Sequence, residues 1–345
     1  MELLHRYGLI NRSGQGIVEP KPLDEELLFD FHDRSYIEMI KKAQKGEFTV
    51  EMLQAGLGTP DNPIFESMYE FSLITSGGTY LGAWMLLEGQ AHAVFNPIGG
   101  FHHAGRAHAE GFCYINDIAV TIKDLIKKGK KVACVDIDVH HSNGVQDAFY
   151  DTDQVLTISI HESGESLYPG SGYEYEIGSG KGVGYNVNIP LPGWTDDELY
   201  IYAFESVIPP LIKSFQPDIV FAVIGGDTHK DDPLAHLNLT SNGYTKAVEI
   251  LNRISPKILA MGAGGYNVYK TASLWALAWA ILCGLEPQDQ YAGSVGGLMY
   301  GPESEAGSLF DPPFMLGGKE KDWCRKRIER TVKYIRENVF PVYGI

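Results

Sequence analysis

The chain has 345 residues, 44% of them hydrophobic, and a formal net charge of −16. That balance argues against direct nucleic-acid binding, which needs a basic surface, and is compatible with a cationic partner. The four cysteines, Cys113, Cys134, Cys283 and Cys324, are scattered without a CxxC pair and read as the reduced thiols of a cytoplasmic protein.

The opening residues, MELLHRYGLI, lack the charged start and long apolar stretch of a signal peptide. In chain order, hydrophobic spacing predicts helices over roughly 63–88, 114–128, 196–215, 241–254, 270–284 and 319–338. The third carries Pro209-Pro210 and is expected to kink or break there, and Ser241 is expected to cap the fourth. The fifth contains LWALAWAILCGL, too short to cross a bilayer and read as a buried helix. Between them lie VACV at 132–135, VLTISI at 155–160, DIVFAVI at 218–224 and KILAMG at 257–262, all without polar alternation. Strands apolar on both faces belong to a parallel sheet covered by helices on both sides. With no repeat, low-complexity tract or linker, residues 1–345 are expected to form a single catalytic domain. Its class is α/β, a three-layer α/β/α sandwich with a central, mainly parallel sheet.

Each of these strands runs into chemistry. VACV leads to Asp136, Asp138, His140 and His141; VLTISI leads to His161; DIVFAVI leads to Gly-Gly and Asp227; KILAMG leads to Ala-Gly-Gly and Tyr266. In open parallel sheets the ligand crevice lies beyond the carboxyl ends of the strands, so these residues should converge. Taking the strand to continue through His140, alternation puts Asp136, Asp138 and His140 on one face. His140 and Asp138, joined by Asp227 from a second strand end, give one imidazole and two carboxylates, the composition expected of an open divalent-metal site with nitrogen and oxygen donors. Such donors suit Zn²⁺, Fe²⁺, Co²⁺ or Mn²⁺ without ranking them. The competing reading is that Asp136 and Asp138 merely accept backbone amides at a turn. His102 and His103 sit among glycines and a proline, hence on a loop, and His108 reads as a surface residue.

The blocks GGFHHA…GFCYIND, DIDVHHSNGVQDAF, SIHESGESLYPGSG, GGDTHKDDPLAHLNLT and GAGGYN are similar, in kind and order, to signature blocks of the zinc-dependent histone deacetylase superfamily, from Leu23 to about Leu285. Within it the chain most resembles the bacterial and archaeal acetoin utilization deacetylases, particularly in GGDTHKDDPLAHL. The resemblance implies the arginase/deacetylase fold, a catalytic Zn²⁺ or Fe²⁺, and structural K⁺. It matches Asp138, His140 and Asp227 to the metal ligands and His102 and His103 to the tandem active-site histidines. Asp136 and Asn143 fall at the positions supporting those histidines, and Tyr266 at the catalytic tyrosine. Phe112 and Tyr168 match the aromatic walls of an acyl-lysine tunnel, with Leu234 beside them. Gly111 matches the glycine whose carbonyl meets the substrate amide, and Asp61 a rim aspartate that holds the substrate backbone. Asp136, Asp138, His140, Ser159 and Ile160 match one potassium site, and Phe149, Thr152, Val155 and Tyr185 a second.

These residue types fit amide hydrolysis, because an amide is a poor electrophile with a poor leaving group. A metal would acidify a water and polarise the carbonyl, His103 would act as base and then acid, and Tyr266 would donate to the developing oxyanion. Two positions depart from the family pattern. Asn143 replaces a frequent aspartate, which predicts a lower His103 pKa; Tyr168 replaces a more usual phenylalanine, adding a hydroxyl at the tunnel mouth that would favour a polar acyl-amine. Family members also usually open with a short strand and an HPE-type motif, so either the edge strand is absent or Met1 lies downstream of the native start. The expected activity is deacetylation of acetylated lysine side chains, on metabolic proteins such as acetyl-CoA synthetase. Alternatives are an acetylpolyamine amidohydrolase, an arginase-like ureohydrolase with two metals, or a catalytically inactive acetyl-lysine binding protein. Neither nucleic acid nor membrane is expected as a partner, and the oligomeric state is open.

Overall fold

The computed structural model describes residues 1–285 and 308–345. Six strands form one sheet: β1 (Ala93–Asn96), β2 (Val132–Asp136), β3 (Val155–Glu162), β4 (Asn186–Leu191), β5 (Ile219–Val223) and β6 (Ile258–Met261). Their order is β1-β6-β5-β2-β3-β4, and every pairing is parallel. The expected mainly parallel sheet is thus wholly parallel among the described residues. Ala133 and Val135 of β2 enter one core while Val132 and Cys134 enter the other, and β5 divides the same way, with Val220 and Ala222 opposite Phe221 and Val223. This two-sided burial explains why these strands read as unbroken apolar runs.

On one face pack α8 (Asp197–Phe215), α9 (Ser241–Ile254), α10 (Val268–Leu282) and α11 (Gly318–Asn338); on the other, α3 (Arg34–Ala43), α5 (Met68–Leu87) and α6 (Asp117–Lys127). Gly82 lets α5 lie close to the sheet, since a Cβ there would come within 2.8 Å of Leu259 and 2.9 Å of Val94. Shorter helices complete the chain: α1 (Glu2–Arg6), α2 (Glu25–Leu28), α4 (Val50–Gln54) and α7 (Asn143–Phe149). The residues around α1 pack on α10 through Leu9, Leu277 and Leu309, and among the described residues no strand precedes β1.

Register aligns the strand ends. Asn96 pairs with Met261, Met261 with Val223, Val223 with Asp136, Asp136 with Ser159, and Ser159 with Asn188. β2 has β3 on one side and β5 on the other, so the direction of winding changes between β2 and β5. The crevice expected at such a switch point opens there.

Several expectations need correction. Pro209-Pro210 does not break α8, which is continuous over Asp197–Phe215. Pro210 deprives the Ser206 carbonyl of its helical donor, and the Arg336 guanidinium supplies one at 3.5 Å. The α9 cap is Thr240, one residue before Ser241, and it accepts from the Asn242 amide. β2 also stops at Asp136, so Asp138 and His140 share a loop rather than a strand face.

Candidate active site

Most of the polar residues that follow the aligned row converge on the crevice, but His141 and His161 do not join them: His141 lies 2.8 Å from Ser171 Oγ and 3.1 Å from Gln146 Oε1, and His161 lies 2.8 Å from Ser159 Oγ and 2.9 Å from the Gly172 carbonyl. After β1, the glycine-rich loop carries His102 and His103, and it is held from below by residues of GFCYIND that the sequence reading did not single out. The buried Asp117 carboxylate accepts the Gly100 amide at 3.0 Å and the Phe101 amide at 2.8 Å. Asn116 donates to the Ala104 carbonyl at 3.0 Å while its oxygen caps α6 at the Ala119 amide. The N-terminus of α7 abuts the same loop. A Cβ on Gly144 would lie within 2.8 Å of the carbonyls of His102, His103 and Ala104, a closeness only glycine permits.

Asp138, His140 and Asp227 meet, with one potential ligand atom from each lying within 4.8 Å of the others. His140 Nδ1 stands 3.0 Å from Asp138 Oδ1 and 3.3 Å from Asp227 Oδ2. The remaining oxygens are fixed by backbone: the Val139 amide donates to Asp227 Oδ1 at 2.9 Å and the Gly264 amide to Asp138 Oδ2 at 2.8 Å. Asp227 Oδ2 is buried and, although His140 Nδ1 stands 3.3 Å away, it accepts no well-formed hydrogen bond. An orphaned carboxylate oxygen beside a second carboxylate and an imidazole is what a divalent cation would satisfy, so the donor set fits a metal. Burial and the neighbouring Asp138 push the Asp227 carboxyl up to about 7, although the adjacent His140 ring opposes that rise. Gly225 and Gly264 keep this space clear, since Cβ atoms there would fall 2.2 Å from Asp138 Oδ2 and 2.1 Å from Asp227 Oδ2. The turn reading of Asp138 is correct as far as it goes, because Asp138 also accepts the His140 amide.

Asp136 faces elsewhere. Its Oδ2 lies 2.7 Å from His102 Nδ1, and its Oδ1 accepts the Asp138 amide at 2.9 Å. Burial opposes a charge on His102, but Asp136 and Asp138 outweigh it and raise the ring to about 9. His103 Nδ1 lies 2.7 Å from Asn143 Oδ1, which accepts its proton, and its Nε2 is 3.1 Å from His102 Nε2. Burial, reinforced by His102, holds the His103 pKa well below the usual imidazole value. The two rings therefore differ in charge preference, His102 favouring the cation and His103 the neutral form.

Tyr266 closes the other side, its ring centred 6.3 Å from that of His140 and 5.7 Å from that of Phe112. Burial, with Asp138 and Asp227, raises its phenol far above the ordinary value, so it remains a donor. The turn before it needs glycine, because Gly265 adopts φ +139. Asp232, another residue the sequence reading passed over, accepts the Tyr266 amide at 2.7 Å and the Leu234 amide at 2.9 Å. One carboxylate thus sets both the tyrosine and a rim residue.

Phe112, Tyr168 and Leu234 stand exposed at the mouth, at 45%, 42% and 44%. Tyr168 packs edge-on to His103 with centroids 5.3 Å apart, and Gly111 approaches the His103 ring so closely that a Cβ would lie 2.3 Å from it. Asp61 is exposed on the rim and adds to the negative field around Tyr168. The Tyr168 hydroxyl is not free, as it donates to Glu110 Oε1 at 2.7 Å, whose other oxygen is 3.0 Å from the half-exposed His108. The polar group added at the mouth is therefore the Glu110 carboxylate.

Of the residues matched to potassium sites, Asp136 and Ser159 line a small internal cavity with Ser142, whose buried hydroxyl lacks a partner. Ser159 Oγ is 2.8 Å from His161 Nδ1, and Ile160 is buried beside it in β3. Phe149 ends α7 and Val155 begins β3, with Thr152 between them donating its amide to the Phe149 carbonyl at 3.3 Å; the Tyr185 carbonyl accepts the Thr157 amide at 2.9 Å.

The geometry has relatives. The histone deacetylase domain profile matches residues 1–282. The chain is 39% identical to the acetoin utilization protein AcuC of Bacillus subtilis (strain 168), over 79% of this chain and 72% of that one. It is 32% identical to histone deacetylase 1 of Homo sapiens, over 98% and 68% respectively. Among solved structures, an HDAC homolog from Aquifex aeolicus superposes with a TM-score of 0.84 at 32% identity, covering 97% of this chain and 92% of that one. An HDAC homolog complexed with SAHA gives the same values.

Proposed function

Because the chain belongs to the histone deacetylase family, we propose that it is a metal-dependent deacetylase that hydrolyses the acetamide of acetylated lysine side chains on metabolic proteins. The observation that carries this reading is the meeting of Asp138, His140 and Asp227, one oxygen left unpartnered, beside His102, His103 and Tyr266. Zn²⁺ or Fe²⁺ held by the three ligands would acidify a water and polarise the acyl carbonyl.

The chain's own residues supply the rest. Neutral His103, its Nδ1 proton held by Asn143, presents Nε2 as the base that takes the water's proton and later returns it to the departing amine. His102 is held in place by Asp136 through its Nδ1. Tyr266 donates a hydrogen bond from its protonated phenol to the developing oxyanion. Phe112 and Tyr168 flank the alkyl chain of the substrate and exclude water; Gly111 offers a carbonyl to the substrate amide, and Asp61 and Leu234 meet the substrate outside. Structural K⁺ at the set of Asp136, Asp138, His140, Ser159 and Ile160 is favoured by the partnerless Ser142 hydroxyl beside it; the set of Phe149, Thr152, Val155 and Tyr185 is the second proposed site. We read residues 1–345 as one catalytic domain, because both cores share one sheet, and as cytoplasmic, because all four cysteines are free.

Glu110 at the mouth favours a second reading, an acetylated polyamine as substrate, since its carboxylate would attract a distal amine. Both readings are tested by assaying acetyl-lysine peptides beside N-acetyl polyamines with Zn²⁺ or Fe²⁺. Tyr266→Phe is expected to lower kcat about 100-fold, the usual value of one oxyanion donor. Turnover of neither substrate class would end the proposal.

A further inference from the structure

A carboxylate beyond the matched domain reaches the site indirectly. Asp311, its side chain 8% exposed, accepts His229 Nε2 at 2.9 Å and the Ser241 amide at 3.0 Å on Oδ2, and Lys270 Nζ at 2.8 Å on Oδ1. It is itself seated on α9, its amide donating to Ser241 Oγ at 2.7 Å and its carbonyl accepting from Asn242 at 3.1 Å. Two arms run from it to the tyrosine turn. In the first, His229 Nδ1 accepts the Asp231 amide at 3.1 Å, which fixes the tautomer that donates from Nε2 to Asp311. The next residue, Asp232, accepts the Tyr266 amide. In the second, Lys270 lies in the first turn of α10, and its amide is capped at 3.2 Å by Asn267, the residue after Tyr266.

Resting on the deacetylase reading, we propose that Asp311 is a positioning residue for Tyr266: through His229 and Lys270 it holds both flanks of the Gly-Gly-Tyr turn and so sets where the phenol meets the oxyanion. Position matters there because an oxyanion donor acts only over a narrow range of distance. Asparagine has nearly the same shape as aspartate but must point an NH₂ group at one of these donors, so Asp311→Asn breaks one arm.

The test is a double-mutant cycle between Asp311→Asn and Tyr266→Phe, read as kcat and KM on an acetyl-lysine peptide. The expected result is a fall of about 10-fold in kcat with KM unchanged when Tyr266 is present, and a change under about twofold in the Tyr266→Phe background. Amide hydrogen exchange at Tyr266 and Asn267 should accelerate in Asp311→Asn whether or not the protein turns over substrate, which separates failure of this proposal from failure of the deacetylase reading. If Asp311→Asn does not fold, His229→Leu carries the same cycle from the other end of the first arm. Equal losses in both backgrounds, a loss confined to KM, or unchanged exchange at Tyr266 would overturn the proposal.

Discussion

His103 shows how much one neighbour decides. Its Nδ1 proton goes to the amide oxygen of Asn143 at 2.7 Å, a neutral acceptor, while burial and His102 depress its pKa. A carboxylate in place of that amide would stabilise the imidazolium, so Asn143→Asp raises the pKa of His103, the proposed base. The acidic limb of a kcat/KM–pH profile should then move up by about one unit; an unmoved limb would show that Asn143 does not govern the base. At this scale the sequence was informative where residue type alone implies chemistry: adjacent histidines, the Asp-x-His pair, and a tyrosine after two glycines. It was silent on Asp117, Asn116, Asp232 and Glu110, whose importance lies in which backbone amide or hydroxyl they reach. Those partners are distant in sequence, and the type of an aspartate does not say which amide it will accept. Tyr168 made the same point in reverse, since its hydroxyl was visible but its partner Glu110, 58 residues away, was not.

Among the elements, the clamp between the α2–α3 turn and the histidine loop has its own pH sense. His32 Nε2 accepts the Asn116 amide at 3.0 Å and its Nδ1 lies 3.2 Å from the Arg106 carbonyl, so the ring must be neutral, with its proton on Nδ1. Burial lowers its pKa from 6.5 to about 4. The folded state thus binds this proton more weakly than the unfolded chain. The stability it contributes is complete above pH 6.5 and is lost as pH falls towards 4. Between pH 7 and pH 5, denaturant unfolding of the wild type should lose about 2 kcal/mol more than that of His32→Gln; equal losses would remove His32 from the account. Element types were legible where both faces of a strand are apolar, as in β2 and β5. β1 and β4 escaped notice because AVFN is short and NVNIPL interleaves buried asparagines that bond Gln146 and the Glu176 carbonyl. The Ser206 carbonyl that Pro210 leaves without a helical donor meets Arg336 from α11, a tertiary contact that no local rule contains.

For the molecule as a whole, the register row from Asn96 to Asn188 turns residues far apart in the chain into one constellation, and the change of winding between β2 and β5 puts the proposed metal ligands on either side of the switch. The order of the strands could not be read from their apolar runs, but the polar residue ending each run showed that the ends had to meet. The excess of acid over base becomes local at the crevice, where Asp136, Asp138 and Asp227 are buried together beside His102 and His140. That arrangement asks for a single cation. The most direct test is calorimetric titration of the chelator-stripped chain with Zn²⁺. One tight ion per chain, lost in Asp227→Asn, is the predicted result; two tight ions, none, or full retention in the variant would contradict the account.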